Sequence, residues 1–188
     1  MTQFEHYYYR VLLWCQLAAG FNLFAMQTLE KILANNANDS HALATRAHLH
    51  VMNQKNDAAL LDYATLTQSG KATAADWFNQ GYLFEQRKEL EQARTSFQQA
   101  LVIDERLDRA WYGLGLVLIQ LRRSEEAIEA LRKNTQLQPM SPHAWYQLAR
   151  VHMDRQETEE TLKIIQYLKG FEPKVAAQLE RETGIVAN

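Results

Sequence analysis

Residues 109–120 read RAWYGLGLVLIQ, and the stretch decides the fold because it returns. Residues 75–86 read ADWFNQGYLFEQ and residues 143–154 read HAWYQLARVHMD. Trp77, Trp111 and Trp145 therefore stand 34 residues apart, each followed by an aromatic residue. Four residues after each tryptophan comes a small one: Gly81, Gly115 and Ala149. Apolar residues recur at helical spacing, with Trp111, Leu114, Gly115 and Leu118 in one segment and Ala127, Ile128 and Leu131 in the next. One helix pair cannot bury such a face alone, whereas stacked copies of it can.

Writing the chain in rows of 34 with Ala74 as position 1 extends the pattern. Position 20 holds Ala93, Ala127 and Thr161, position 24 holds Phe97, Leu131 and Ile165, and position 32 holds Glu105, Pro139 and Pro173. Row 40–73 keeps Leu43, Ala47, Ala59 and Tyr63 at positions 4, 8, 20 and 24. Row 6–39 keeps Tyr9, Leu12, Ala25 and Leu29 at positions 4, 7, 20 and 24. It departs at position 8, where Leu13 replaces the small residue, so close packing of that first pair is not expected. Asp108, Ser124 and Thr158 read as N-caps, and Ser141 as an N-cap before Pro142 in the first helical position. Glu125, Glu126, Glu159 and Glu160 then sit in first turns, where the helix dipole favours acid. Gly115 is expected where two helices nearly touch, and Gly113 is expected to tolerate a larger side chain.

The pattern resembles the tetratricopeptide repeat family, W-x2-L-G-x2-Y, then A-x3-F, then P. The match is strong over 74–175 and fainter upstream. The resemblance implies an all-α, right-handed superhelical solenoid of antiparallel helix pairs, one domain over 1–188. Its repeats fall at 6–39, 40–73, 74–107, 108–141 and 142–175, with a C-terminal cap at 176–188 that begins AAQLERETGI. Terminal units of a solenoid must cover an otherwise exposed apolar face.

Composition fits. The chain has 188 residues, 47% hydrophobic and 22% charged, with seven glycines and three prolines, which favours long helices and short turns over a β-rich fold. A formal charge of −2 gives no basic footprint for nucleic acid. The single cysteine, Cys15, excludes an internal disulfide, suits a cytoplasmic setting and reads as a small core residue. Between Arg10 and Glu30 no formal charge appears, in VLLWCQLAAGFNLFAMQTL. Gln16, Asn22, Gln27 and Thr28 interrupt it and Gly20 with Asn22 suggests a turn, so a buried helical hairpin is expected. A membrane anchor is the alternative.

No catalytic motif emerges. GLGLVL from Gly113 lacks the third glycine of a dinucleotide fingerprint and lies inside a helix. His41 and His48 share a helical face with His50 nearby, yet no cysteine or carboxylate pairing points to a metal. No cofactor is expected.

The resemblance assigns first-helix positions 2, 5, 9, 12 and 13 to the concave surface. Carried over, these include His41, His48, Phe78, Tyr82, Arg109, Tyr112, Leu116, Tyr146 and Arg150, a mixture of aromatics and arginines suited to interface anchors. Packing of Phe78, Tyr112 and Tyr146 against neighbouring repeats is the competing reading. One branch of the family, the heat-shock co-chaperones, clamps a peptide's C-terminal carboxylate with Lys, Asn, Asn, Lys and Arg. The corresponding residues here are Ala44, His48, Asn79, Arg109 and Gly113; only Asn79 fits and Arg109 offers the charge, so that clamp is not expected. The implied function is a noncatalytic adaptor or chaperone-like module that binds a peptide or helix of a partner in the groove. The alternatives are an assembly subunit that homodimerises through its aromatic N-terminal row, or a membrane-anchored scaffold.

Overall fold

The computed structural model describes residues 3–186, which form helices joined by short turns, with no strand among the described residues. The helices are α1 (Gln3–Ala18), α2 (Asn22–Asn35), α3 (Ser40–Met52), α4 (Asn56–Gln68), α5 (Ala74–Gln86) and α6 (Leu90–Ile103). They continue with α7 (Asp108–Gln120), α8 (Ser124–Leu137), α9 (Pro142–Asp154), α10 (Thr158–Lys169) and α11 (Pro173–Thr183). Two compact units divide the chain, Met1–Leu83 and Phe84–Asn188. In the first, α1 packs on α2, α2 on α3 and α3 on α4, around Leu13, Leu29, Ile32, Ala47, Tyr63 and Leu66. In the second, each helix from α6 to α11 packs on the next, and α7, α9 and α11 also touch in succession along one wall. That core gathers Leu131, Leu148, Ala149, Ile165, Leu168 and Leu179.

The turn inside each pair has one construction. Position 15 of the 34-residue row adopts a positive φ in all five rows: Gly20 at 75°, Gln54 at 59°, Lys88 at 62°, Arg122 at 60° and Gln156 at 63°. The next residue's N–H reaches five residues back, as in Lys55 to His50, Glu89 to Phe84, Arg123 to Leu118 and Glu157 to His152, at 2.8 to 2.9 Å. This is a Schellman ending, which satisfies the last carbonyls of the first helix. The same residue's carbonyl then accepts the first bond of the second helix, from Ala59, Ala93, Ala127 or Thr161.

That double duty corrects three expected caps. Arg123 and Glu157, not Ser124 and Thr158, are the N-cap residues of α8 and α10. Leu107, not Asp108, precedes α7. Ser141 does precede Pro142, although its side chain makes no cap bond. Elsewhere side chains do cap: Asp39 Oδ1 accepts from Ala42 N–H at 3.0 Å, and Thr73 and Asp76 bond each other reciprocally at the start of α5.

Packing between helices sets the small positions. A β-carbon on Gly115 would stand 2.8 Å from Leu131 Cδ2, so α7 and α8 do nearly touch there. Gly113 corrects the expectation of tolerance, because its β-carbon would stand 2.7 Å from Phe97 Cζ. Position 24 of one row thus presses on position 6 of the next, and a buried phenylalanine leaves room only for hydrogen. The same relation recurs where buried Tyr63 is hydrogen-bonded to the Asn79 side chain. The half-buried Trp111 and Trp145 donate their indole N–H to the carbonyls of Glu105 and Pro139, each at 2.8 Å. They latch a first helix to the connection before it.

The N-terminal hairpin forms, with its turn at Gly20, but burial is one-sided. Leu13 is buried at 2% exposure, and Thr28 Oγ1 donates to Gln16 Oε1 at 2.8 Å across the pair. Cys15 is exposed instead of core, because two residues along a helix turn the side chain to the opposite face from Leu13. No helix among the described residues is long and apolar enough to cross a membrane.

Candidate functional site

The wall formed by α7, α9 and α11 carries an open concavity of the second unit. Tyr112 on α7 and Tyr146 on α9 occupy equivalent positions in consecutive rows and line one open groove of about 340 Å³. Pro142, His143 and Gln147 from α9 and Val175 and Gln178 from α11 line it as well. Both tyrosine rings also rest against the core of this unit, so packing and groove lining coexist. Burial pushes the Tyr112 phenol above its ordinary value, partly offset by a hydrogen bond with the Gln147 side chain.

Tyr146 is held by polar groups. Its hydroxyl donates to Glu182 Oε2 at 2.7 Å, while Gln178 Nε2 donates to Glu182 Oε1 at 2.7 Å and to the Tyr146 oxygen at 3.3 Å. The bond to Glu182 raises the Tyr146 phenol, and donation from Gln178 and then Tyr146 holds the Glu182 carboxyl below its usual range. Arg150 lies 5.8 Å from the Tyr146 ring centroid, a cation–π distance. Its guanidinium also borders a neighbouring recess with Asp154, Glu182 and Thr183.

Of the residues expected in the groove, the structure gathers Tyr112, Tyr146 and Arg150. Leu116 is half-buried one turn beyond Tyr112, and Arg109 is exposed near the start of α7. His41 and His48 are exposed on α3 of the first unit, where Phe78 is half-buried and Tyr82 exposed on α5. Asn79, the one residue fitting the carboxylate clamp, is engaged by Tyr63. Gln147, Gln178 and Glu182 were not anticipated. Gln178 and Glu182 stand four apart on a cap helix whose amphipathic pattern, with Ala176 and Leu179 buried, signals an outward polar face without saying what it meets.

A family model described as TPR repeat matches residues 81–121, and one described as Tetratricopeptide repeat matches residues 108–139. Residues 81–139 are tetratricopeptide repeats. No curated protein matches the chain significantly by sequence. Among solved structures it is similar to YrrB, described as a TPR protein with an unusual peptide-binding site, at 15% identity and a TM-score of 0.82, covering 92% of this chain and 90% of that one. It is similar to a tetratricopeptide repeat protein from Parabacteroides merdae, at 19% identity and 0.79, covering 95% of this chain and 73% of that one. It is also similar to MamA, at 17% identity and 0.76, covering 95% and 93%. These likenesses establish the tetratricopeptide fold.

A second recess of about 370 Å³ lies in the same unit, between α8 and α10 with α9 as its floor. Arg132, Trp145, His152, Glu160, Lys163 and Tyr167 line it. Its aromatics are committed to one another: Trp145 and Tyr167 have ring centroids 4.7 Å apart, and Tyr167 meets Phe171 at 5.3 Å. Buried His152 bonds Glu157 at 2.5 Å, closing the α9–α10 turn. This recess is chiefly an inter-helix packing seam, whereas the groove at Tyr112 and Tyr146 presents polar atoms to an occupant.

Proposed function

We propose that this repeat protein is a noncatalytic adaptor that captures a segment of a partner protein against the α7–α9–α11 wall. The observation that carries the reading is the groove lined jointly by Tyr112, Tyr146 and Gln178. Aromatic rings already seated on the core offer apolar contact at little entropic cost, and the surrounding amide, phenol and guanidinium groups fix orientation. The fit is to an extended or helical segment with aliphatic or aromatic anchors beside Asp or Glu, for which Arg150 and Arg109 supply charge. YrrB's description as a peptide-binding TPR protein supports a peptide ligand. In this reading Leu116 belongs to the groove of the second unit, His41, His48, Phe78 and Tyr82 offer a further partner-binding surface on the first, and the protein acts in the cytoplasm.

The test is affinity capture from native lysate, comparing the wild-type chain with Tyr146→Phe, Gln178→Ala and Arg150→Ala. These changes spare the packed rings. Loss of captured proteins with unchanged melting supports the groove, and full retention by all three contradicts it.

A second reading, an assembly subunit that pairs through its N-terminal row, is favoured by a specific observation: Phe4, Tyr7 and Trp14 are each at least 70% exposed on α1. The two readings are compatible, since they use different surfaces.

A further inference from the structure

Helix α1 is apolar on both sides. Leu13 faces inward, while Phe4, Tyr7, Val11, Trp14 and Ala18 follow one another on the outward side at alternating spacings of three and four, with Tyr8 and Cys15 beside them. That is the spacing of a helix-pairing seam. A continuous exposed apolar stripe of this kind marks an interaction surface. At about 200 Å² per aromatic ring, the exposed parts of this stripe come to roughly 600 Å². Each partner in a standard interface contributes about 800 Å². Phe21 and Phe24, whose rings meet edge to face at the start of α2, are exposed as well. Neither charge on α1 lies on it, and Arg10 is already bound to Asp39 at 2.9 Å. A membrane-surface helix would instead carry lysines and arginines along its polar margin.

We infer that this stripe is where a second copy of the chain docks, the two α1 helices running antiparallel about a twofold axis at Val11. The inference rests on the assembly reading and specifies its surface and register. Bulk decides the direction. Rings crowd the first half of the stripe, at Phe4, Tyr7 and Tyr8, whereas the second half holds Trp14 with the small residues Cys15 and Ala18. An antiparallel pairing centred on Val11 sets Phe4 against Ala18, Tyr7 against Cys15 and Tyr8 against Trp14 of the other copy, so large meets small in two of these three pairs. A parallel pairing would stack ring on ring and leave a gap between the small residues.

The register has a chemical consequence. Cys15 lies eight residues of helical rise from its counterpart, about 12 Å along the axis, beyond the Cα separation of roughly 7 Å that a disulfide tolerates. A cysteine at position 11 would face itself. The test combines sedimentation of the full chain over a concentration series with mild oxidation. Wild type is expected to form a dimer that does not crosslink through Cys15. Val11→Cys in a Cys15→Ser background is expected to crosslink, and Tyr7→Glu and Trp14→Glu are expected to yield helical monomers. A dimer that survives both glutamate substitutions, or a dimeric Val11→Cys chain that does not crosslink, overturns the seam while leaving the assembly reading intact. Rapid crosslinking of native Cys15 overturns the antiparallel register. A wild-type chain that is monomeric at every concentration, with or without binding to anionic phospholipid vesicles, overturns the assembly reading and this inference together. Should a glutamate variant unfold, the Val11→Cys crosslink decides.

Discussion

Phe97 Cζ lies 2.7 Å from the place a β-carbon on Gly113 would occupy, so the bulk of one repeat dictates a glycine in the next. Phe97 is 1% exposed and has nowhere to retreat. Gly113→Ala is therefore expected to destabilise by about 1–3 kcal/mol through overpacking, despite the better helix propensity of alanine. Combining it with Phe97→Leu should give a double mutant less destabilised than the sum of the two singles. Denaturant unfolding of all three variants measures the coupling, and strict additivity would refute it.

The recurring tryptophan is expected to work as a latch. Trp111→Phe and Trp145→Phe each remove an indole N–H bonded at 2.8 Å to the preceding connection. Loss of that bond costs about 1 kcal/mol, and the smaller ring adds to it. Trp14→Phe, at a position exposed in the single chain, should stay within about 0.5 kcal/mol when measured below the concentration at which the chain dimerises. Equal melting shifts for Trp14 and Trp145 variants would contradict the latch.

Much of this was legible in the chain. The period of 34 and the small residues at positions 8 and 20 predict helix pairs, and the pairs are there. What the pattern did not carry were relations that depend on two rows at once. Gly113 looked dispensable because position 6 is Asn79 or Gln147 in other rows, and only the size of Phe97 makes it obligatory. The turns were hidden because position 15 takes a left-handed backbone at Gln54, Lys88, Arg122 and Gln156, residues that carry no glycine signal. Cys15 was misplaced because both faces of α1 are apolar, so hydrophobic periodicity could not tell inside from outside. In the candidate groove the tyrosines were readable from their repeat positions, whereas Glu182 and Gln178 come from a helix outside the repeat count.

His50 gives the first unit a pH dependence. Burial lowers its pKa below the ordinary 6.5, against the pull of Asp62, and its Nδ1 is buried without a hydrogen-bond partner. Arg46, bidentate on Asp62 at 2.5 and 2.9 Å, and Lys55 add to the lowering, while Glu30 opposes it. The unfolded chain therefore binds this proton more readily than the folded one. Stability from the neutral ring is fully present above about pH 6.5 and is lost as pH falls toward the folded value. Thermal unfolding from pH 8 to pH 5 should decline below pH 6.5 in wild type and flatten in His50→Asn. An identical decline in both would assign it elsewhere.

The central claim is that partners are held against the wall of Tyr112 and Tyr146. The most direct measurement places a photocrosslinking benzoylphenylalanine at His143, an exposed residue lining the groove, and separately at Lys163 on α10, and irradiates each chain in native lysate. The account predicts a discrete crosslinked partner from position 143 and none from position 163. Crosslinking from position 163 alone, with position 143 silent in a chain that still folds, would contradict it.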